Sequence, residues 1–202
     1  IIIIIIIIII IIIIIIKIRI IIIKKKQSRQ RNRFSKQQWA KLAGARVIAT
    51  ASNTEDKELC LELGADAVVN HGELGWGHKI LDHSDGEKVS RVIEVEFGAN
   101  LPEILDCIAV NGTIATYSST LVKQPELPFL RMMFMDLTIR MVIVYSMPET
   151  AKTSAIREIT RALERNLLTH RIAKIVPLDS LAKAHQLIES KGLRGCVIVD
   201  NA

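Results

Sequence analysis

Ser52 and Asn53 follow the apolar run Arg46–Ala51 and precede a helix-forming stretch. A hydroxyl and an amide at the carboxyl end of a buried strand can cap the next helix. They can also receive the ribose of a nucleotide laid across the strand ends. In a dinucleotide fold an acid at this place accepts from the 2′-hydroxyl, whereas a hydroxyl or base accommodates a 2′-phosphate. The sequence Thr50-Ala51-Ser52-Asn53 holds no acid, which favours NADP over NAD, with Ser52 the foremost candidate. Capping and phosphate contact can coexist.

The stretch QWAKLAGARVIATAS (Gln38–Ser52) reads as the end of a helix, a Gly-Ala turn and a buried strand, the second half of a βαβ unit. The first half should bring a glycine-rich turn, because pyrophosphate is held by backbone N–H groups at such a turn and at the adjoining helix N-terminus. Gln27–Gln37 contains no glycine. Arg29, Arg31 and Arg33 would attract phosphate by charge, but their bulk blocks the close backbone approach that glycine permits. Weak or absent cofactor binding is therefore the expectation for this chain.

Other chemistries find little support. His78 and His83 are five residues apart, the wrong interval for one helix face, and no metal-ligand spacing occurs. No Ser-His-acid set or paired carboxylates stand out, so no catalytic side chain is expected.

The elements that must position Ser52 alternate in type. Arg46–Ala51 suits a buried parallel strand. Asn53 or Thr54 caps a helix over Glu55–Leu63 that Gly64 ends. Strands are expected at Ala67–Val69, Arg91–Val95, Thr113–Tyr117, Leu137–Tyr145, Ile172–Val176 and Cys196–Val199. Helices are expected at His78–His83, Asn100–Val110, Thr150–Leu168 and Ser180–Ser190. Asn111-Gly112 should turn the chain, and Ile156, Ile159, Leu163 and Leu167 form one apolar helix stripe. Alternation of this kind predicts an α/β, doubly wound parallel sheet of Rossmann type with right-handed crossovers, incomplete because its first strand is not recognisable.

Composition divides the chain. Isoleucine fills 21 of the first 23 positions. Residues 1–36 carry nine Lys or Arg and no acid, whereas residues 37–202 carry 18 basic against 21 acidic side chains. The formal charge of +6 therefore belongs to the head and indicates no nucleic-acid-binding domain. Three readings fit the isoleucine tract: a membrane anchor, which the charges of Lys17 and Arg19 oppose; a β-aggregating segment; or the translation of a simple AT-rich repeat, with Gln27–Gln37 in the wrong frame. Cys60, Cys107 and Cys196 lie far apart in apolar stretches, as buried thiols of a reduced, cytoplasmic protein would.

The segments AKLAGARVIATAS, LELGADAVVNH, RVIEVEFGANL, NGTIATYSS, LTIRMVIVY and PLDSLAKAHQLIESKGLRGCVIVDN resemble the medium-chain dehydrogenase/reductases. Their zinc-independent branch, the NADPH:quinone oxidoreductases (zeta-crystallin-like), is the most similar. The resemblance implies hydride transfer from NADPH to a quinone or an α,β-unsaturated carbonyl, with the cofactor supplying the chemistry. It further implies Lys57 near the 2′-phosphate, with Asp56 standing where the family often has the lysine, and Asn70-His71 at the adenosine, with His71 the contact. Gly98 and Gly112 are implied where backbone approaches the cofactor, and Tyr117 and Ser118 on the nicotinamide side, a wall that Val142–Tyr145 would continue.

Three regions follow from this resemblance. Residues 1–37 stand outside the fold, 38–170 form a partial NADP-binding domain, and 171–202 return to a GroES-like catalytic domain absent from this sequence. The chain is then an inactive reductase fragment, with homodimers common in the family. Its alternatives are a non-catalytic Rossmann-like association module and a membrane-anchored form of either.

Overall fold

A computed structural model describes residues 19–23, 36–169, 172–190, 193 and 195–200. Arg29, Arg31 and Arg33, considered above as phosphate attractors, lie outside them. A six-stranded sheet runs in the order β3-β2-β1-β4-β5-β6. Its strands are β1 (Arg19–Ile23), β2 (Arg46–Ala51), β3 (Ala67–Asn70), β4 (Val89–Glu94), β5 (Ile108–Thr116) and β6 (Thr138–Met141). The pairs β2–β3, β4–β5 and β5–β6 are parallel. This is the strand order of a dinucleotide-binding sheet, with its ligand crevice expected where the order reverses, between β1 and β4.

β1 is a correction to the expected layout. The head was expected outside the fold, yet Arg19–Ile23 pairs with β2 on one side and β4 on the other, antiparallel to both. The sheet is therefore mixed rather than wholly parallel. Unbroken β-branched residues suit a central strand, and a strand between β2 and β4 gives the edges of both a ladder partner. The reversal has a positional result. Arg19 stands opposite Thr50 and Ile23 opposite Arg46, so β1 ends at the edge of the sheet where β2 begins.

Local sequence explains most of the rest. Helix α1 (Lys36–Leu42) leads through Gly44, at φ +78°, into β2, five of whose six residues are buried. Helix α2 (Thr54–Glu62) is capped by Asn53, whose Oδ1 accepts the Asp56 N–H at 2.9 Å. Gly64, at φ +90°, follows its last turn as the sequence predicts. Helices α3 (Trp76–Asp82) and α4 (Phe97–Cys107) pack tightly, because Gly77 lets the Glu103 carbonyl approach to where a Cβ would lie 2.1 Å away. The Glu103 carboxylate then accepts the N–H groups of Gly75 and Gly77, capping α3. Ile48, Ile80, Leu101, Ile104, Leu105, Ile108 and Ile114 fill the core beneath.

Three further expectations change. The Asn111-Gly112 turn exists, with Asn111 at φ +60°, but β5 begins before it at Ile108 and bulges across it. Gly112 therefore sits in this turn in the middle of β5, where an added Cβ would meet the Ile108 side chain and the Ala109 carbonyl. β6 stops at Met141, and Ile143 and Tyr145 are exposed beyond it, so Val142–Tyr145 is neither strand nor core. The first stripe residue of α6 (Glu149–Glu164), Ile156, is exposed, while Ile159 and Ala162 are buried.

Helix α5 (Phe129–Phe134) lies between β5 and β6. β7 (Ile172–Pro177) and β8 (Cys196–Asp200) form a separate two-stranded parallel sheet covered by α7 (Leu181–Glu189). No described helix is long and apolar enough to cross a membrane.

Candidate cofactor-binding site

The parallel pairing of Ala51 with Asn70 sets the carboxyl ends of β2 and β3 side by side. Ser52 is exposed there, and its Cβ is 4.0 Å from where a Cβ on Gly72 would sit. Asn70 Oδ1 accepts the Gly72 N–H at 3.0 Å, which folds the next loop back toward Ser52. Asn53 is engaged as the α2 cap, with its Nδ2 also donating to Asp56 Oδ2 at 2.8 Å. Lys57 is exposed on the first turn of α2, and His71 is half-buried after β3. The structure thus brings Ser52, Asn53, Asn70, His71 and Gly72 to one end of the sheet.

Gly98, Tyr117 and Ser118 lie at a second place, the carboxyl ends of β4 and β5. Glu94 is fully buried at the end of β4, where its Oε1 accepts from the N–H groups of Val95 and Glu96 and from Asn100 Nδ2. Tyr117 is half-buried nearby. Burial and the Glu94 charge push its phenol well above the ordinary range, so it stays protonated and able to donate. The segment Tyr117–Val122 folds over the start of α4. There the Phe97 N–H donates to Ser118 O at 3.0 Å and the Gly98 N–H to Ser119 Oγ at 2.9 Å. Gly98 allows this closeness, since a Cβ there would stand 2.4 Å from the Val122 carbonyl.

Glu96 fastens that segment. Its Oε2 accepts from the Thr120 N–H and hydroxyl at 3.0 and 2.6 Å, and its Oε1 accepts the Leu121 N–H at 2.8 Å. Burial raises the Glu96 carboxyl, but bonds from the Thr120 hydroxyl and the amides of Leu121, Thr120 and Val122 outweigh it and hold the group below the usual carboxylate range. Glu94, Glu96, Asn100, Ser119 and Thr120 were not singled out from the sequence. Their signal was available: two carboxylates at alternate positions in VIEVEFGAN, and a Ser-Ser-Thr run after the following strand.

Between the two ends a pyrophosphate would need a glycine turn leaving β1 at this edge of the sheet. β1 ends at the opposite edge, so among the described residues no such turn follows it here. No group of three or more His, Cys, Asp or Glu among the described residues could hold a metal ion.

The strand order and the polar strand ends define a Rossmann-type nucleotide-binding domain. The chain belongs to the zinc-binding dehydrogenase family, whose model matches residues 37–161. Within the medium-chain dehydrogenase/reductases it is similar to the quinone oxidoreductases. It is 28% identical over 165 residues to the quinone oxidoreductase of Sus scrofa, covering 80% of this chain and 49% of that protein. It is 26% identical to quinone oxidoreductase 1 of Escherichia coli, covering 78% and 50%. A mycobacterial protein solved in complex with NADPH superposes with a TM-score of 0.66 at 25% identity, covering 81% of this chain and 52% of that one. The chain therefore spans about half the length of the curated relatives it matches.

Proposed function

We propose that this chain is the cofactor-side portion of an NADPH-dependent reductase of quinones or α,β-unsaturated carbonyls, from the zinc-independent branch. The observation that carries NADPH is the carboxyl end of β2, where exposed Ser52 and the helix cap Asn53, and not an acid, directly follow the strand. Relatives that are quinone oxidoreductases support the substrate class. When bound, the cofactor supplies the hydride. The chain's own residues then divide the work: Ser52 and Lys57 receive the 2′-phosphate, His71 borders the adenosine, and Gly98, Tyr117 and Ser118 border the nicotinamide side. Hydride transfer also needs the substrate-side surface that the C-terminal segment, residues 171–202, returns to in this family.

As a single chain it is proposed to bind NADPH weakly and to turn over no quinone, because among the described residues no backbone grip for the pyrophosphate stands beside Ser52. Three free thiols, Cys60, Cys107 and Cys196, favour a reducing compartment such as the cytoplasm. The test is an amide NMR titration of the full chain with NADPH and NADH. NADPH should shift the amides of Ser52, Asn53, His71 and Gly72, and NADH should shift them less. Equal shifts from both, or none, would sink the NADP assignment; low-micromolar NADPH affinity would sink the claim of a weakened grip.

A second copy of the chain is the partner proposed. β6 closes one edge of the sheet, and Leu130, Phe134, Met141 and Ile143 are exposed around it.

A further inference from the structure

Beyond the half-buried Tyr117, the segment up to Val122 is held over the β4–α4 turn by polar bonds. Leu121 and Val122 are 78% and 39% exposed. The Ser118 carbonyl and Ser119 hydroxyl take the first two amides of α4, and Thr120 and Leu121 donate to Glu96. The amides of Thr120, Leu121 and Val122 are consecutive and converge on that one carboxylate. Consecutive N–H groups aimed at one point form an anion-binding concavity of the kind that receives phosphate. This one stands at the carboxyl ends of β4 and β5, beside the place where ligands enter open α/β sheets.

We propose that Glu96 is a latch: in the free protein its carboxylate fills an anion site made by Thr120–Val122, and a phosphate-bearing ligand gains that site only when Glu96 lets go. Two anions cannot share the same donors. A tethered carboxylate also competes at high effective concentration with any free anion. Ligand entry at this end of the sheet is thereby coupled to release of the Tyr117–Val122 segment, which uncovers Gly98. The latch rests on the cofactor reading only for the placement of the ligand at these strand ends.

The test compares the full wild-type chain with Glu96→Gln, which keeps the side chain's size and removes its charge. Amide exchange at Thr120 and Leu121 should be about tenfold faster in the variant, as expected when charge-assisted bonds become neutral ones. Inorganic pyrophosphate, followed by the shifts of the same amides, should bind the variant about tenfold more tightly. Unchanged exchange, equal pyrophosphate affinity, or no shift of these amides in either protein would each overturn the latch. Should Glu96→Gln fail to fold, Thr120→Val removes one donor and leaves the carboxylate; faster exchange at Leu121 is then expected, and an unchanged rate overturns the proposal. Pyrophosphate binding here without any NADPH shift at Ser52 would sink the cofactor reading and leave the latch standing.

Discussion

Asp66 and Val47 hold each other at both ends: the Val47 N–H donates to Asp66 Oδ2 at 2.7 Å, and the Asp66 N–H donates to Val47 O at 2.8 Å. Val47 is buried at the start of β2, and the Asp66 carboxylate also takes Lys41 Nζ from α1 at 2.7 Å. Asp66→Ala leaves a buried N–H without its partner, so urea denaturation should show a loss of about 1–3 kcal/mol. Lys41→Ala removes only an ion pair open to solvent and should cost less than about 1 kcal/mol.

Gly77→Ala should destabilise the α3–α4 contact by about 1–3 kcal/mol, because its Cβ would meet the Glu103 backbone carbonyl at 2.1 Å. Thermal melts compared with Gly86→Ala separate the causes. Gly86 has open space but a positive φ, so any cost there is backbone strain alone.

Thiol titration should resolve one fast and two slow cysteines. Burial pushes Cys60 and Cys107 up to about 12, leaving almost no thiolate near pH 8, while Cys196 is half-buried and less protected. Cys60 and Cys107 should react only on unfolding, and rapid labelling of all three would contradict the packing.

Acid should release the Tyr117–Val122 segment. The Glu96 carboxyl lies below its ordinary value of 4.5 in the folded chain, so its contribution is fully present above that value and is lost as pH falls through the lower folded value. Exchange protection at Leu121 should fall in that window in the wild type and show no such step in Glu96→Gln.

Sedimentation should report a dimer that Phe134→Lys with Ile143→Lys converts to a monomer, since both residues are exposed beside the β6 edge. A monomeric wild type would remove the proposed second copy.

What could be read from the sequence was local. β2 spans Arg46–Ala51 as its apolar run predicts, and the Asn53 cap and the Gly64 stop follow from residue types within one helix. Longer-range features left weaker traces. The bonds of Glu96 to Thr120 and Leu121 cross 24 and 25 residues, so the alternating carboxylates and the Ser-Ser-Thr run are each visible in the sequence but their pairing is not. α5 follows Pro128 with only six residues, too few to show a helical period. The apolar run at Leu137–Tyr145 promised a long strand, but pairing with β5 ends at Met141. The NADP proposal rests on residue types alone, because the lack of an acid directly after β2 is visible in the tetrapeptide Thr50–Asn53.

β1 occupies the middle of the sheet with the sequence Arg-Ile-Ile-Ile-Ile, inside a tract made almost wholly of isoleucine. Register is ordinarily specified because a slip carries the wrong side chains to the wrong face. Here a slide of two residues toward the head keeps isoleucine at three of four positions while moving Arg19 inward and bringing in Lys17, whereas the opposite slide brings in Lys24 and Lys25. The strand that joins the two halves of the sheet is thus aligned less by its isoleucines, which are interchangeable, than by the charges at Lys17, Arg19, Lys24 and Lys25 that bound the run.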